Sequence, residues 1–161
     1  SPEVLIHNAV KGNFEKLLEG KPEWLEENFR INTTSLMYLA HELIPNMITN
    51  KKGVIIVTGN TAAKRGVANT PYFAPTKAAQ RILAQSLAKD FGPKGIHVAY
   101  IMIDAFINTP WTRKRIPAQI DQPDNIFTQP KEIAEEIYHI AHQNRSAWSF
   151  DVEIRPDIEK W

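Results

Sequence analysis

Few residues of this chain have a type and spacing suited to chemistry. Asn60 and Thr61 follow Gly59, and either side chain can donate a hydrogen bond to polarise a carbonyl. Neither can deliver a proton. Lys77 is a cation four residues beyond Phe73, an aromatic ring with no ionisable group, in Phe73-Ala74-Pro75-Thr76-Lys77. Asn32 is an amide within a helical stretch, Arg30-Ile31-Asn32-Thr33-Thr34. Other chemistries drop out. The chain has 0 cysteines, which removes thiolate metal sites, disulfides and cysteine nucleophiles together. His139 and His142 stand one helical turn apart without a nearby carboxylate, so no metal site is expected. Gly59-Asn60-Thr61-Ala62-Ala63-Lys64-Arg65-Gly66 has glycines at its ends but fits neither the dinucleotide G-x-G-x-x-G fingerprint nor the P-loop.

The elements that must position these residues can be read from apolar patterning. Val4-Leu5-Ile6, Gly53–Thr58 and Ile96–Ile103 are short β-branched runs, almost unbroken in apolar character. That pattern predicts strands buried on both faces of a parallel sheet. Ser149–Ile154 alternates and predicts a strand with one wetter face. Between them, 22–48 carries Trp24, Leu25, Phe29, Leu36, Leu39, Leu43 and Met47 near a 3.6-residue period. A second helix is predicted over 73–91, with Pro75 in its first turn and Gly92-Pro93-Lys94-Gly95 as its stop. A third runs from Glu132 to about His142. The segment 108–128 holds Pro110, Pro117 and Pro123 with little periodicity, and is expected to be a long lid or binding loop. Strands alternating with helices predict one α/β domain with right-handed crossovers.

Length and composition bound the rest. A chain of 161 residues that is 43% apolar and 23% charged has room for one domain with a full core. A formal charge of +1 carries no footprint for nucleic acid or an anionic membrane. No apolar run reaches the roughly 18–20 residues of a membrane span. A cytoplasmic location is the expectation. The chain opens Ser1-Pro2-Glu3 and enters a strand at once, without an initiator Met, so upstream sequence is expected to be absent from it.

The order of these fragments resembles the short-chain dehydrogenase/reductase family from its fourth strand to its C-terminus, over nearly the whole chain. The fragments are Val4-Leu5-Ile6-His7-Asn8-Ala9, Asn32, Gly59-Asn60-Thr61, Phe73-x-x-x-Lys77, Gly92-Pro93-Lys94-Gly95-Ile96-His97-Val98 and Ile107-Asn108-Thr109-Pro110. It is especially similar to glucose-dehydrogenase-like members with Phe-x-x-x-Lys and a tail like Ser146-Ala147-Trp148, Arg155-Pro156 and Trp161. The resemblance implies a partial Rossmann-type parallel sheet with flanking helices, lacking the N-terminal nucleotide-binding strands, as the C-terminal part of one domain spanning 1–161. It implies NAD or NADP in the full-length protein and a small-molecule carbonyl or alcohol as substrate. No cofactor is expected on the chain alone, because the diphosphate-binding turn would lie upstream.

By the same resemblance, Asn32 matches the Asn that holds a helix bend and a proton-relay water. Lys77 matches the Lys that binds the nicotinamide ribose and lowers the pKa of the catalytic Tyr. Asn8 matches the Asn that braces the central sheet, with Val10 at a family Gly position. Ile107 and Thr109 match the Ile-x-Thr that meets the nicotinamide carboxamide and pyrophosphate, although Asp104-Ala105 replaces the family's Pro-Gly turn. Two positions depart from the pattern. The catalytic Tyr falls on Phe73 and the catalytic Ser on Asn60. Losing a positioned general acid costs about 10²–10⁴-fold in rate. Tyr72 is adjacent, but its hydroxyl is expected to point away from the face that Phe73 and Lys77 share. A final expectation is that Lys77 and the ring of Phe73 line one pocket mouth.

The family pairs subunits through its two long helices, here 22–48 and 73–91, which implies a homodimer or tetramer. Tyr38, Ala78 and Ile82 are apolar beyond the needs of one buried face. Two functions follow from these features: an oxidoreductase with weak or no activity in this form, or a non-catalytic dimerising or binding protein that keeps the fold.

Overall fold

The computed structural model describes residues 2–115 and 126–158. Four strands form one sheet: β1 (Val4–His7), β2 (Gly53–Gly59), β3 (Ile96–Ile103) and β6 (Asp151–Ile154), in the order β1-β2-β3-β6. Every pairing is parallel, with Leu5 opposite Ile55, Ile55 opposite Val98 and Ile101 opposite Val152. The β-branched runs become strands because their side chains fit a pleated surface covered on both sides. All eight residues of β3 are buried. β1 is an edge strand, and Val4 and Ile6 on it are exposed.

Strand periodicity splits the core in two. Ile55, Val57, Val98, Tyr100 and Met102 face one side of the sheet, with Leu36, Ala40, Ile44, Ala84 and Leu87 packed on them. Ile56, Ala99, Ile101 and Ile103 face the other and meet Ile133 and Ile140. The first side is covered by α1 (Glu23–Phe29), a π-helical stretch (Arg30–Thr34), α2 (Ser35–Thr49) and α3 (Ala74–Phe91); the second by α5 (Pro130–Ala141). The 22–48 helix is therefore present, but with one widened turn in the middle. Pro75 occupies the first turn of α3 as expected, and Pro130 does the same in α5. After α3 the chain reverses at Gly95, whose φ of +91° is accessible to glycine at little cost.

Of the segment 108–128, residues 108–115 and 126–128 are described, and the lid or binding-loop expectation otherwise lies outside the described residues. Phe106–Ile107 (β4) pairs in parallel with Phe127–Thr128 (β5), and Pro110–Arg115 forms the short helix α4. Thr109 caps α4 through its hydroxyl, which accepts from the Thr112 amide at 3.1 Å. The Asn108 amide donates to Gln129 at 2.8 Å, and its oxygen accepts from Arg113 at 2.6 Å. Elements this short carry no readable period, which is why patterning shows only a loop. Pro117, Pro123 and Trp161 lie outside the described residues. Among those described, no helix is long and apolar enough to cross a membrane, and no group of acidic and His side chains could hold a metal.

Candidate active site

β1, β2 and β3 run parallel, so their carboxyl ends, His7, Gly59 and Ile103, emerge on one rim of the sheet. A cavity of about 370 Å³ opens at that rim. Ligands of parallel sheets bind at this edge because the loops that follow the strands converge there. The walls are apolar at Phe14, Val67, Phe73, Ile103, Ala105 and Phe106, and polar at Asn60, Thr61, Arg65, Thr70 and Asp104.

Local structure explains how each side chain arrives. Asn60 follows β2 in extended conformation, and its side-chain Oδ1 caps a 3-10 turn (Thr61–Ala63) by accepting from the Ala62 amide at 3.2 Å. Phe73 immediately precedes α3 and is buried, with Phe14 packed on it at 4.9 Å between ring centroids. Tyr72 is turned away, as anticipated. Its hydroxyl donates to the Leu17 carbonyl at 2.6 Å while Trp24 packs edge-on at 5.7 Å. It cannot stand in for a phenol at position 73.

Lys77 lies one turn further along α3 and is not among the cavity's lining residues; its side chain is only 2% exposed. The expected shared pocket mouth is thus half present: Phe73 lines the cavity and Lys77 sits behind it. Lys77 Nζ donates to the Thr58 carbonyl at 3.1 Å and to Gln80 Oε1. Burial lowers its pKa to about 8, because the charged form is the one that loses hydration. The chain of bonds continues from Gln80 Nε2 to His7 Nδ1 at 3.1 Å, and from His7 Nε2 to Ser35 Oγ at 2.7 Å. Burial first, and the Lys77 charge second, hold the His7 pKa below its ordinary value.

The two other amides join this polar layer. Thr58 Oγ1 donates to Asn8 Oδ1 at 2.6 Å, so Asn8 ties the end of β1 to β2. Asn32 lies in the π-helical stretch, fully buried. Its amide donates to the Lys11 carbonyl and to Thr76 Oγ1, each at 2.8 Å, while its oxygen accepts from the Lys11 amide at 2.8 Å. A widened turn offers a side chain this inward path, and one residue thereby locks the loop after β1 to α3. Ile107 in β4 and Thr109 capping α4 stand beyond the rim, and neither lines the cavity. Gly59 is required by a close approach, since a Cβ there would overlap the Tyr100 hydroxyl.

Four contributors escape sequence reasoning. Phe14 lies in a stretch without periodicity, and Arg65 and Thr70 lie in a turn region whose path no local pattern dictates. The Gln80–His7 pairing spans 73 residues. Its only advance signal is a histidine at the end of an apolar strand.

Comparison with known proteins now bears on the site. The family model described as short chain dehydrogenase matches residues 3–119. The uncharacterized oxidoreductase YmfI of Bacillus subtilis (strain 168) is 24% identical over 138 residues, 83% of this chain and 57% of that protein. A short-chain dehydrogenase structure from Rhodopseudomonas palustris superposes with a TM-score of 0.76 at 27% identity, over 95% of this chain and 61% of that one. The closed form of serine dehydrogenase complexed with NADP+ reaches a TM-score of 0.86 at 20% identity, over 98% of this chain and 66% of that one, a likeness of fold. The chain therefore spans less than two thirds of the length of each of these proteins.

Proposed function

The chain belongs to the short-chain dehydrogenase family, and from that premise we propose that it is the C-terminal part of an NAD(P)-dependent oxidoreductase domain acting on a small carbonyl or alcohol. The observation that carries this reading is the layer behind the cavity. Lys77, Asn8 and Thr58 are joined by hydrogen bonds at the carboxyl rim, with Asn32 bonded to Thr76 beside them. The donor set fits a dinucleotide in part. An ammonium has three hydrogens, and two of those on Lys77 are engaged, which leaves one for a ribose hydroxyl. Asn8, Lys77, Ile107 and Thr109 are the residues proposed to hold the cofactor. A nicotinamide, when bound, supplies or accepts the hydride. The NADP+ in the serine dehydrogenase relative supports this cofactor class.

On the protein side, Phe73 supplies no proton, so Asn60 or Thr61 would orient and polarise the carbonyl while water provides the proton. The expected consequence is slow turnover, lower by about 10²–10⁴-fold than with a positioned acid. Fluorescence titration of NADH and NADPH against the full-length protein tests the reading. Saturable binding supports it, and no binding at millimolar cofactor overturns it. Phe73→Tyr then tests the missing acid: reductase activity is expected to rise, and an unchanged rate would show that proton donation is not what limits it.

A second reading is a non-catalytic protein that keeps the fold and associates through its helices. Phe73, which cannot ionise, favours it. Under either reading we propose a homodimer or tetramer formed through α2 and α3, where Met37, Tyr38, Leu39 and Ile82 are exposed. A cytoplasmic location accords with the absence of cysteine.

A further inference from the structure

The cavity at the strand ends contains two opposite charges that do not neutralise each other. Arg65 and Asp104 both line it. Among the described residues neither side chain has a hydrogen bond, and no ion pair joins them. Ion pairs among the described residues engage Lys11, Lys52, Lys64, Arg81, Lys94 and Lys131 instead. The hydroxyl of Thr61, on the same wall, also has no partner among the described residues. The remainder of the lining is largely apolar, with Phe14, Phe73, Val67 and Phe106 among its side chains.

We infer that this cavity takes a zwitterionic substrate, an amino-acid-like molecule with an apolar body, whose carboxylate meets Arg65 and whose ammonium group meets Asp104. The inference rests on the reading of the cavity as an oxidoreductase's substrate site, and names the substrate class. A guanidinium is the side chain best shaped to take a carboxylate through two parallel N–H donors. A ligand bearing only a carboxylate would gain Arg65 but bring a like charge toward Asp104. An amine alone would meet the converse penalty against Arg65. A molecule carrying both charges answers both groups as they leave water, and its side chain covers the aromatic walls. About 370 Å³ lies within the range of small-molecule sites.

The test is titration calorimetry with three molecules sharing one branched body: L-leucine, 4-methylpentanoate, which lacks the amine, and 3-methylbutylamine, which lacks the carboxylate. L-leucine is expected to bind at least about tenfold more tightly than either, a charge-assisted hydrogen bond being worth that factor or more. Arg65→Gln should reduce leucine to the affinity of the amine, and Asp104→Asn to that of the carboxylate. Lys94→Gln, which lies before β3 at the other end of the sheet, should change nothing. Arg65 is exposed, so its replacement leaves the fold intact, and far-UV dichroism checks the Asp104 variant. Equal affinities for the three molecules, an Arg65→Gln variant that still prefers leucine, or no saturable binding by any of them overturns the inference. So does an effect of Arg65→Gln without one of Asp104→Asn, which would mean that only the carboxylate is recognised. NADH and NADPH binding is scored separately: cofactor binding without leucine preference removes this inference and leaves the oxidoreductase reading standing.

Discussion

Lys77 is a buried ammonium held by the Thr58 carbonyl and Gln80, with no carboxylate bonded to it among the described residues. Its pKa in the folded protein is lowered to about 8 by burial, against about 10.4 for a hydrated lysine. Between those values the unfolded chain binds more protons than the native one, so the stability contributed by this group rises with pH. It is present above the unfolded value and lost as pH falls toward about 8. Urea unfolding from pH 7.5 to 9.5 should therefore show the native protein gaining about 2 kcal/mol relative to Lys77→Met. Parallel pH profiles for the two proteins would contradict the burial argument. His7 has the same sign in a lower window, because its pKa is also depressed, so stability is expected to fall as pH drops below about 6.5.

At the scale of elements, the π-helical stretch between α1 and α2 is the feature on which the site's back wall depends. Asn32 serves the backbone of Lys11 twice and Thr76 once, all from a fully buried position. Asn32→Ala would strand these partners and is expected to destabilise the fold by about 2–4 kcal/mol. Circular dichroism melting of the variant checks this, and a loss below about 0.5 kcal/mol would mean that water replaces the amide. The turn after α3 offers a second case. Gly95→Ala forces a side chain into a left-handed backbone and against Arg145 and the Lys51 carbonyl. A loss of about 1–2 kcal/mol is expected in the same measurement. Both positions could be marked in advance by residue type. The resemblance implied a bend at Asn32, but that the bend takes the form of a π-helical turn came from the fold.

At the scale of the molecule, α2 and α3 leave an apolar face uncovered. Tyr38 is 73% exposed and Ile82 55%, on helices whose other faces are packed against the sheet. A homodimer through this surface predicts that Tyr38→Glu combined with Ile82→Glu yields monomers in sedimentation velocity with unchanged far-UV dichroism. A native protein already monomeric at tens of micromolar would remove the proposed interface. Val4 and Ile6 on β1 are exposed as well, and among the described residues that strand pairs with β2 alone.

Features that depend on neighbours along the chain were legible before the fold was known. The β-branched runs at 4–6, 53–58 and 96–103 specify strands because burial on both faces demands unbroken apolar character. Prolines and glycines mark the helix ends because their backbone limits are local. The order of motifs was enough to indicate the family. Which way side chains face, and which partners they meet, came from the packed fold. Lys77 turns behind Phe73 because Thr58 and Gln80 offer it oxygens, and Tyr72 points to Leu17 from 55 residues away. Arg65 and Asp104 reach one cavity from the ends of different strands. Such pairings are set by the packing of distant segments, and that packing leaves no period or spacing in the chain.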